Sequence, residues 1–136
     1  MKNKVRVVFD TNIYISAIVF GGAPEICLEL ARAGEIELYV SKEIFLGLAN
    51  KLESKFFHSK SDTEKVLSAV AKFAKVVSPK QKVHTIKADP TDNMILEAAL
   101  EAKANFIVTG DKKHILPLKI FRGVKVVSPA DFLKQV

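Results

Sequence analysis

Apolar and polar positions follow two rhythms along the chain. Val5 to Phe9 is a nearly continuous apolar run, rich in β-branched residues and too short for a helix, which predicts a strand covered on both faces. Asn12 or Thr11 can cap a helix through Val19, the Phe20 to Pro24 stretch breaks it, and Pro24 opens a second helix ending near Gly34. Ile36 to Val40 reads as the next strand. Ser41 then caps a helix whose Phe45, Leu48, Leu52 and Phe56 form one apolar stripe at helical spacing. Ser61 and Glu64 suggest a capping box for a further helix with Val66, Val70 and Phe73 inward, followed by a short strand at Val76 and Val77. The polar, basic segment from Ser78 to Lys87 reads as a loop or an edge strand.

Asp89-Pro90-Thr91-Asp92 has the form of a helix start, with Asp89 as cap and proline at the first helical position, and the helix runs to about Ala102. Asn105 to Val108 is a strand, Thr109-Gly110-Asp111 the turn after it, and Val124 to Val127 a last strand before a helix at Pro129. This alternation predicts a three-layer α/β/α sandwich with a mostly parallel central sheet and right-handed crossovers. No linker or repeat divides the chain, so residues 1–136 are expected to form one domain.

Composition narrows the class. At 136 residues with 49% apolar content the chain can bury a core without staples, which excludes a disordered or disulfide-built protein. Its single cysteine, Cys27, cannot form an internal bridge and is expected to be a small buried residue in a reducing compartment. The longest apolar run, Ile13 to Phe20, is far shorter than the roughly 20 residues that span a bilayer, and the start lacks the form of a secretory signal. Hence a cytoplasmic location without membrane association is expected. The formal charge of +6 favours a polyanionic partner, nucleic acid first.

The acids supply the chemistry. Asp10 directly follows the first strand and Asp111 follows the Asn105 to Val108 strand, so both should emerge at the carboxyl edge of a parallel sheet, where sites of this architecture lie. Asp92 is in line with Ile95 and Ala99, so it should point inward from its helix start, with Asn93, Glu97 and Glu101 on the outer face. Each acid alone has a plainer reading as a turn or helix cap. Their convergence does not, because clustered carboxylates repel unless a cation neutralises them, and carboxylates with retained waters suit Mg²⁺ or Mn²⁺. Such a cation in a basic protein suits phosphodiester hydrolysis. His58, His84 and His114 show no metal-ligand spacing, and His114 reads as the end of a turn. Lys112 and Lys113 beside Asp111 could meet phosphates, as could Arg122 and Lys125, although a solvated face explains all four.

The stretches FDTNIYISAIV, SKEIF, DPTDNMILEAALEAKANFIVTGD and VVSPADFL resemble the PIN-domain nucleases over essentially the whole chain, most nearly the VapC-like endoribonucleases of bacterial and archaeal toxin-antitoxin pairs. The resemblance implies a ribonuclease with a Mg²⁺ or Mn²⁺ site of about four acids. The first, third and fourth acids fall on Asp10, Asp92 and Asp111, with Asn12 and Thr109 at accompanying polar positions and Asp89 beside them. The second acid, usually a glutamate about six residues after the capping serine, reads here as Gly47, while Glu43, one turn earlier, could stand in. The resemblance also implies a homodimer and a cognate antitoxin. Two functions remain open: a metal-dependent endoribonuclease acting as a toxin, and a PIN module that binds RNA or an antitoxin without turnover.

Overall fold

The computed structural model describes residues 4–136. Its element order is β1 (Arg6–Phe9), α1 (Thr11–Val19), α2 (Ala23–Arg32), β2 (Glu37–Ser41), α3 (Lys42–Lys55), α4 (Lys60–Ala71), β3 (Lys75–Val77), α5 (Asn93–Ala102), β4 (Phe106–Val108), β5 (Ile120–Phe121), β6 (Val124–Val127) and α6 (Pro129–Gln135), with single 3₁₀ turns at Pro90–Asp92 and Leu116–Leu118. The strands form one six-stranded sheet in the order β3-β2-β1-β4-β6-β5. All pairs are parallel except β5 with β6. This is the expected mostly parallel sheet flanked by helices. No single helix among the described residues is long and apolar enough to cross a membrane.

The sheet is organised around β1. Val7, Val8 and Phe9 are completely buried, as the uninterrupted apolar run demands of a strand covered on both faces. From β1 the chain builds outward through β2 to β3, then returns through α5 to place β4 on the other side of β1. The strand order reverses there, the point at which parallel sheets form a crevice beyond the carboxyl ends of their strands, here β1 and β4. Helix α5 packs across both strands through Ile95, Leu96, Ala98 and Ala99, all fully buried, and α6 is anchored by Phe132, whose ring meets that of Phe106 edge-on at 5.3 Å. Cys27 is buried, as expected.

Several local expectations change. The first helix begins at Thr11 with Asp10 in the cap position, not Thr11 or Asn12, and Asp10 makes no capping bond because its carboxylate is turned toward β4. Helix α4 is capped by Ser59, whose hydroxyl accepts from the Asp62 amide, and not by a box at Ser61; Thr63 and Val70 are buried, while Val66 and Phe73 are only partly covered. In α3 the buried stripe is Ile44, Leu48 and Leu52, with Phe45 and Phe56 at its margin.

Asn93 is not on the outer face of α5. It is buried, and its side chain accepts from the Ile86 amide and donates to the Ile86 carbonyl, 2.9 and 2.8 Å. Together with Glu97, which accepts from the Val83 amide, it holds the irregular segment 78–87 against α5. The short antiparallel β5 was not anticipated, since a strand of two residues carries no detectable period.

Candidate functional site

Asp92, Asp111 and His114 cluster at the crevice beyond β1 and β4; Asp10 is not among those clustered donors but is near enough for its charge to act on Asp92. Asp10 stands at the end of β1, its amide donating to the Val108 carbonyl at 3.0 Å, so strand pairing itself fixes where the carboxylate starts. Asp10 is 4% exposed. Its carboxylate accepts from the Thr109 hydroxyl at 2.8 Å on one oxygen and from the Thr11 hydroxyl at 3.3 Å on the other. The Thr109 oxygen in turn accepts from the Asp111 amide at 3.0 Å, so one buried hydroxyl ties Asp10 to the turn that carries Asp111. The accompanying polar position thus has a definite task.

Asp111 divides its carboxylate. Oδ1 accepts from the amides of Lys113 and His114, at 3.0 and 3.1 Å, which closes the turn, while Oδ2 lies 3.7 Å from His114 Nδ1. Asp92 makes no capping bond at the start of α5, and its Oδ2 lies 3.2 Å from the same imidazole nitrogen. One donor atom each from Asp92, Asp111 and His114 lies within 4.8 Å of the other two. Burial, the neighbouring Asp89 and the carboxylates of Asp10 and Asp111 push the Asp92 carboxyl above the ordinary range, with His114 opposing them. Asp89 sits on the rim and caps the 3₁₀ turn, and hydrogen bonds from Thr91 hold it below that range.

The raised Asp92 carboxyl has a consequence for stability. The folded chain keeps this proton to higher pH than the unfolded chain does, so the contribution of Asp92 to metal-free stability is fully present below the ordinary aspartate value near 3.8 and is lost as pH rises through the raised folded value. Asp92→Asn removes that penalty. It is expected to raise the metal-free melting temperature at pH 7 and to have little effect below about pH 4, as read by thermal melts across pH.

The other expected residues are dispersed around this centre. Asn12 is exposed, but its side-chain oxygen accepts from Lys51 Nζ at 3.2 Å, and the same ammonium donates to the Thr11 hydroxyl at 2.8 Å. Lys112 and Lys113 are exposed on the Asp111 turn. Glu43 is exposed in the first turn of α3 and is not among the clustered donors. Lys125 pairs with the first residue of β4, at the opposite end of the strands from the acids.

Gly47 faces the site. A Cβ there would lie 3.0 Å from Met94 Cε and 3.5 Å from Thr11 Cγ2, next to Asp10. Position 47 thus lies against Thr11, the neighbour of Asp10, and the flexible end of Met94 borders the space a side chain would enter.

A family model for the PIN domain matches residues 6–113. The chain belongs to the PIN domain family. The matched span contains Asp10, Asp92 and Asp111, and His114 lies just beyond it. The chain is also 33% identical over 147 residues to the uncharacterized protein MJ1680 of Methanocaldococcus jannaschii, covering 98% of this chain and 93% of that one. Among solved structures, this PIN domain is similar to a chain of VapBC2 from Rickettsia felis bound to a promoter DNA fragment, with TM-score 0.63 and 16% identity over 90% of this chain and 97% of that one. It is similar as well to a chain of DNA-bound VapBC from Salmonella typhimurium, with TM-score 0.58 and 17% identity over 92% and 98%. These two likenesses show a shared fold.

Two contributors to the site, His114 and Lys51, were not visible beforehand. The His114 contact spans 22 positions to Asp92 and the Lys51 contacts span 40 and 39 to Thr11 and Asn12, so neither lies in a local pattern.

Proposed function

We propose that this PIN domain is a divalent-metal-dependent endoribonuclease that acts as the toxin of a toxin-antitoxin pair in the cytoplasm. The observation that carries this reading is the Asp92, Asp111 and His114 donor cluster at the sheet crevice, with the Asp10 carboxylate near enough to act on Asp92 and no lysine or arginine salt-bridged to these acids among the described residues. Crowded carboxylates with no lysine or arginine partner are the donor chemistry of a hard divalent cation. Asp10, Asp92 and Asp111 would hold Mg²⁺ or Mn²⁺. When bound, such an ion lowers the pKa of an attacking water and offsets charge at phosphorus and the leaving oxygen.

The protein's own groups do the positioning. Thr109 holds the Asp10 carboxylate in one orientation, and the divided Asp111 carboxylate keeps its turn closed with one oxygen while presenting the other to the crevice. Lys51 supplies a positive charge beside Asn12, where an RNA phosphate entering the crevice would meet it. Lys112 and Lys113 extend that basic margin and add salt-dependent affinity. Lys51→Ala is expected to raise KM about tenfold with little change in kcat, the loss of roughly 1.4 kcal/mol of uniform substrate binding. Steady-state cleavage of a short RNA checks this.

A cognate antitoxin and a homodimer are proposed on the fold likeness to chains from VapBC assemblies together with the resemblance to VapC-like toxins. Phe20 and Phe57, 75% and 89% exposed, supply apolar surface of the kind such partners cover.

Gly47 favours one other reading, a PIN module that binds RNA or an antitoxin without turnover, since the side chain facing Thr11 and Met94 is missing. Cleavage of mixed RNA in Mg²⁺, Mn²⁺ or EDTA by the native chain, Asp111→Asn and Gly47→Glu decides between them. Metal-dependent cleavage by the native chain, lost in Asp111→Asn, is expected. Silence of the native chain with activity in Gly47→Glu would identify a weakened site, and RNA binding with no cleavage by any variant would favour the binding module.

A further inference from the structure

The acidic cluster contains one donor of a different kind. His114 Nδ1 faces the carboxylates, 3.2 Å from Asp92 Oδ2 and 3.7 Å from Asp111 Oδ2. Two donors bound to one ion at about 2.1 Å are separated by about 3.0 Å when at right angles and about 3.4 Å at the tetrahedral angle, so these spacings are close to those of atoms sharing one ion. The imidazole is also held in place from its own backbone. Its amide donates to Asp111 Oδ1 at 3.1 Å, and the next residue, Ile115, is completely buried, which limits how far the ring can leave the crevice. Asp111 thus orients His114 with one oxygen and stands beside the His114 ring nitrogen with the other.

Resting on the metal-dependent reading above, we propose that His114 Nδ1 is itself a metal ligand beside Asp92 and Asp111, and that this mixed nitrogen and oxygen set makes the site selective for a first-row transition ion such as Mn²⁺ over Mg²⁺. The reason is ligand chemistry. Mg²⁺ is a small hard ion that takes carboxylate and water oxygens and dehydrates reluctantly, whereas imidazole nitrogen suits first-row transition ions. A carboxylate-only site would leave the choice between the two ions to geometry alone, and the imidazole biases it.

The plainer alternative is that His114 only donates a hydrogen bond to Asp92. Electron spin-echo spectroscopy of the full chain loaded with Mn²⁺ separates the two, because a ligating imidazole gives a large isotropic ¹⁴N coupling to manganese, whereas a hydrogen-bonded one outside the coordination sphere gives at most a weak through-space coupling. Nitrogen modulation is expected in the native protein, replaced by the ¹⁵N pattern when only histidine is ¹⁵N-labelled, and absent in His114→Gln. Competition titrations should show His114→Gln losing at least about tenfold of its Mn²⁺ affinity while Mg²⁺ affinity changes little. The proposal is overturned if native Mn²⁺ shows no large histidine nitrogen coupling, or if the coupling persists in His114→Gln. If coupling is absent while Asp111→Asn still abolishes both Mn²⁺ binding and RNA cleavage, the ribonuclease reading stands and only the role of His114 falls. If the native chain binds neither ion, both fall.

Discussion

Asp10→Asn is expected to lower metal-dependent RNA cleavage by about 10²–10³-fold while the protein stays folded. A carboxylate that helps hold a catalytic cation contributes several kcal/mol of charge stabilisation, and about 3–4 kcal/mol corresponds to that loss in rate. The asparagine keeps an oxygen that can accept from the Thr109 hydroxyl, so the tie between β1 and the Asp111 turn survives and the effect is one of charge. Single-turnover cleavage, with far-ultraviolet circular dichroism as the check on folding, measures it. A loss confined to KM would place Asp10 in RNA binding instead.

The second large effect is on stability. Without a cation, burial and then the nearby charges of Asp89, Asp10 and Asp111 make Asp92 resist ionisation. An ion that binds the folded chain and not the unfolded one adds about 2.7 kcal/mol at a concentration about one hundred times its dissociation constant. For a domain of this length that is roughly 10 °C in melting temperature. Saturating Mn²⁺ is therefore expected to raise the Tm by about that much, EDTA to reverse it, and Asp111→Asn to abolish most of the gain, all read by differential scanning fluorimetry. In that variant the side-chain carbonyl oxygen can still accept from the Lys113 and His114 amides, so a folded turn without metal stabilisation is the expected phenotype.

The positions of Asp10 and Asp111 are legible in the sequence, because a buried parallel strand announces itself as an apolar run and an acid at its end must emerge at the carboxyl edge. The same reasoning placed Asp92, since its helix has a buried face set by Ile95 and Ala99. What periodicity could not settle was the use of each side chain. Asp10 occupies a cap position yet bonds across the sheet to Thr109, and that contact depends on β1 and β4 becoming neighbours although 99 positions separate the two residues. Asn93 looked outward by helical spacing, but the irregular segment 78–87 lies over that face and uses its amide to satisfy the Ile86 backbone. His114 could be recognised as part of a turn, yet the approach of its ring to Asp92 follows only from the packing of α5 against β4. Lys51 is one helical turn beyond Gly47, but its contacts with Thr11 and Asn12 follow only from the packing of α1 against α3.

The most direct measurement is the mass of the fragments released from a defined RNA cleaved in ¹⁸O-labelled water, with Mn²⁺ and with EDTA. Attack by water on phosphorus puts solvent oxygen into the new terminal phosphate, so the expected result is ¹⁸O-labelled phosphate ends that form with Mn²⁺ and not with EDTA. Unlabelled 2′,3′-cyclic phosphate ends, or cleavage that continues undiminished in EDTA, would contradict a metal-dependent hydrolysis at Asp10, Asp92 and Asp111.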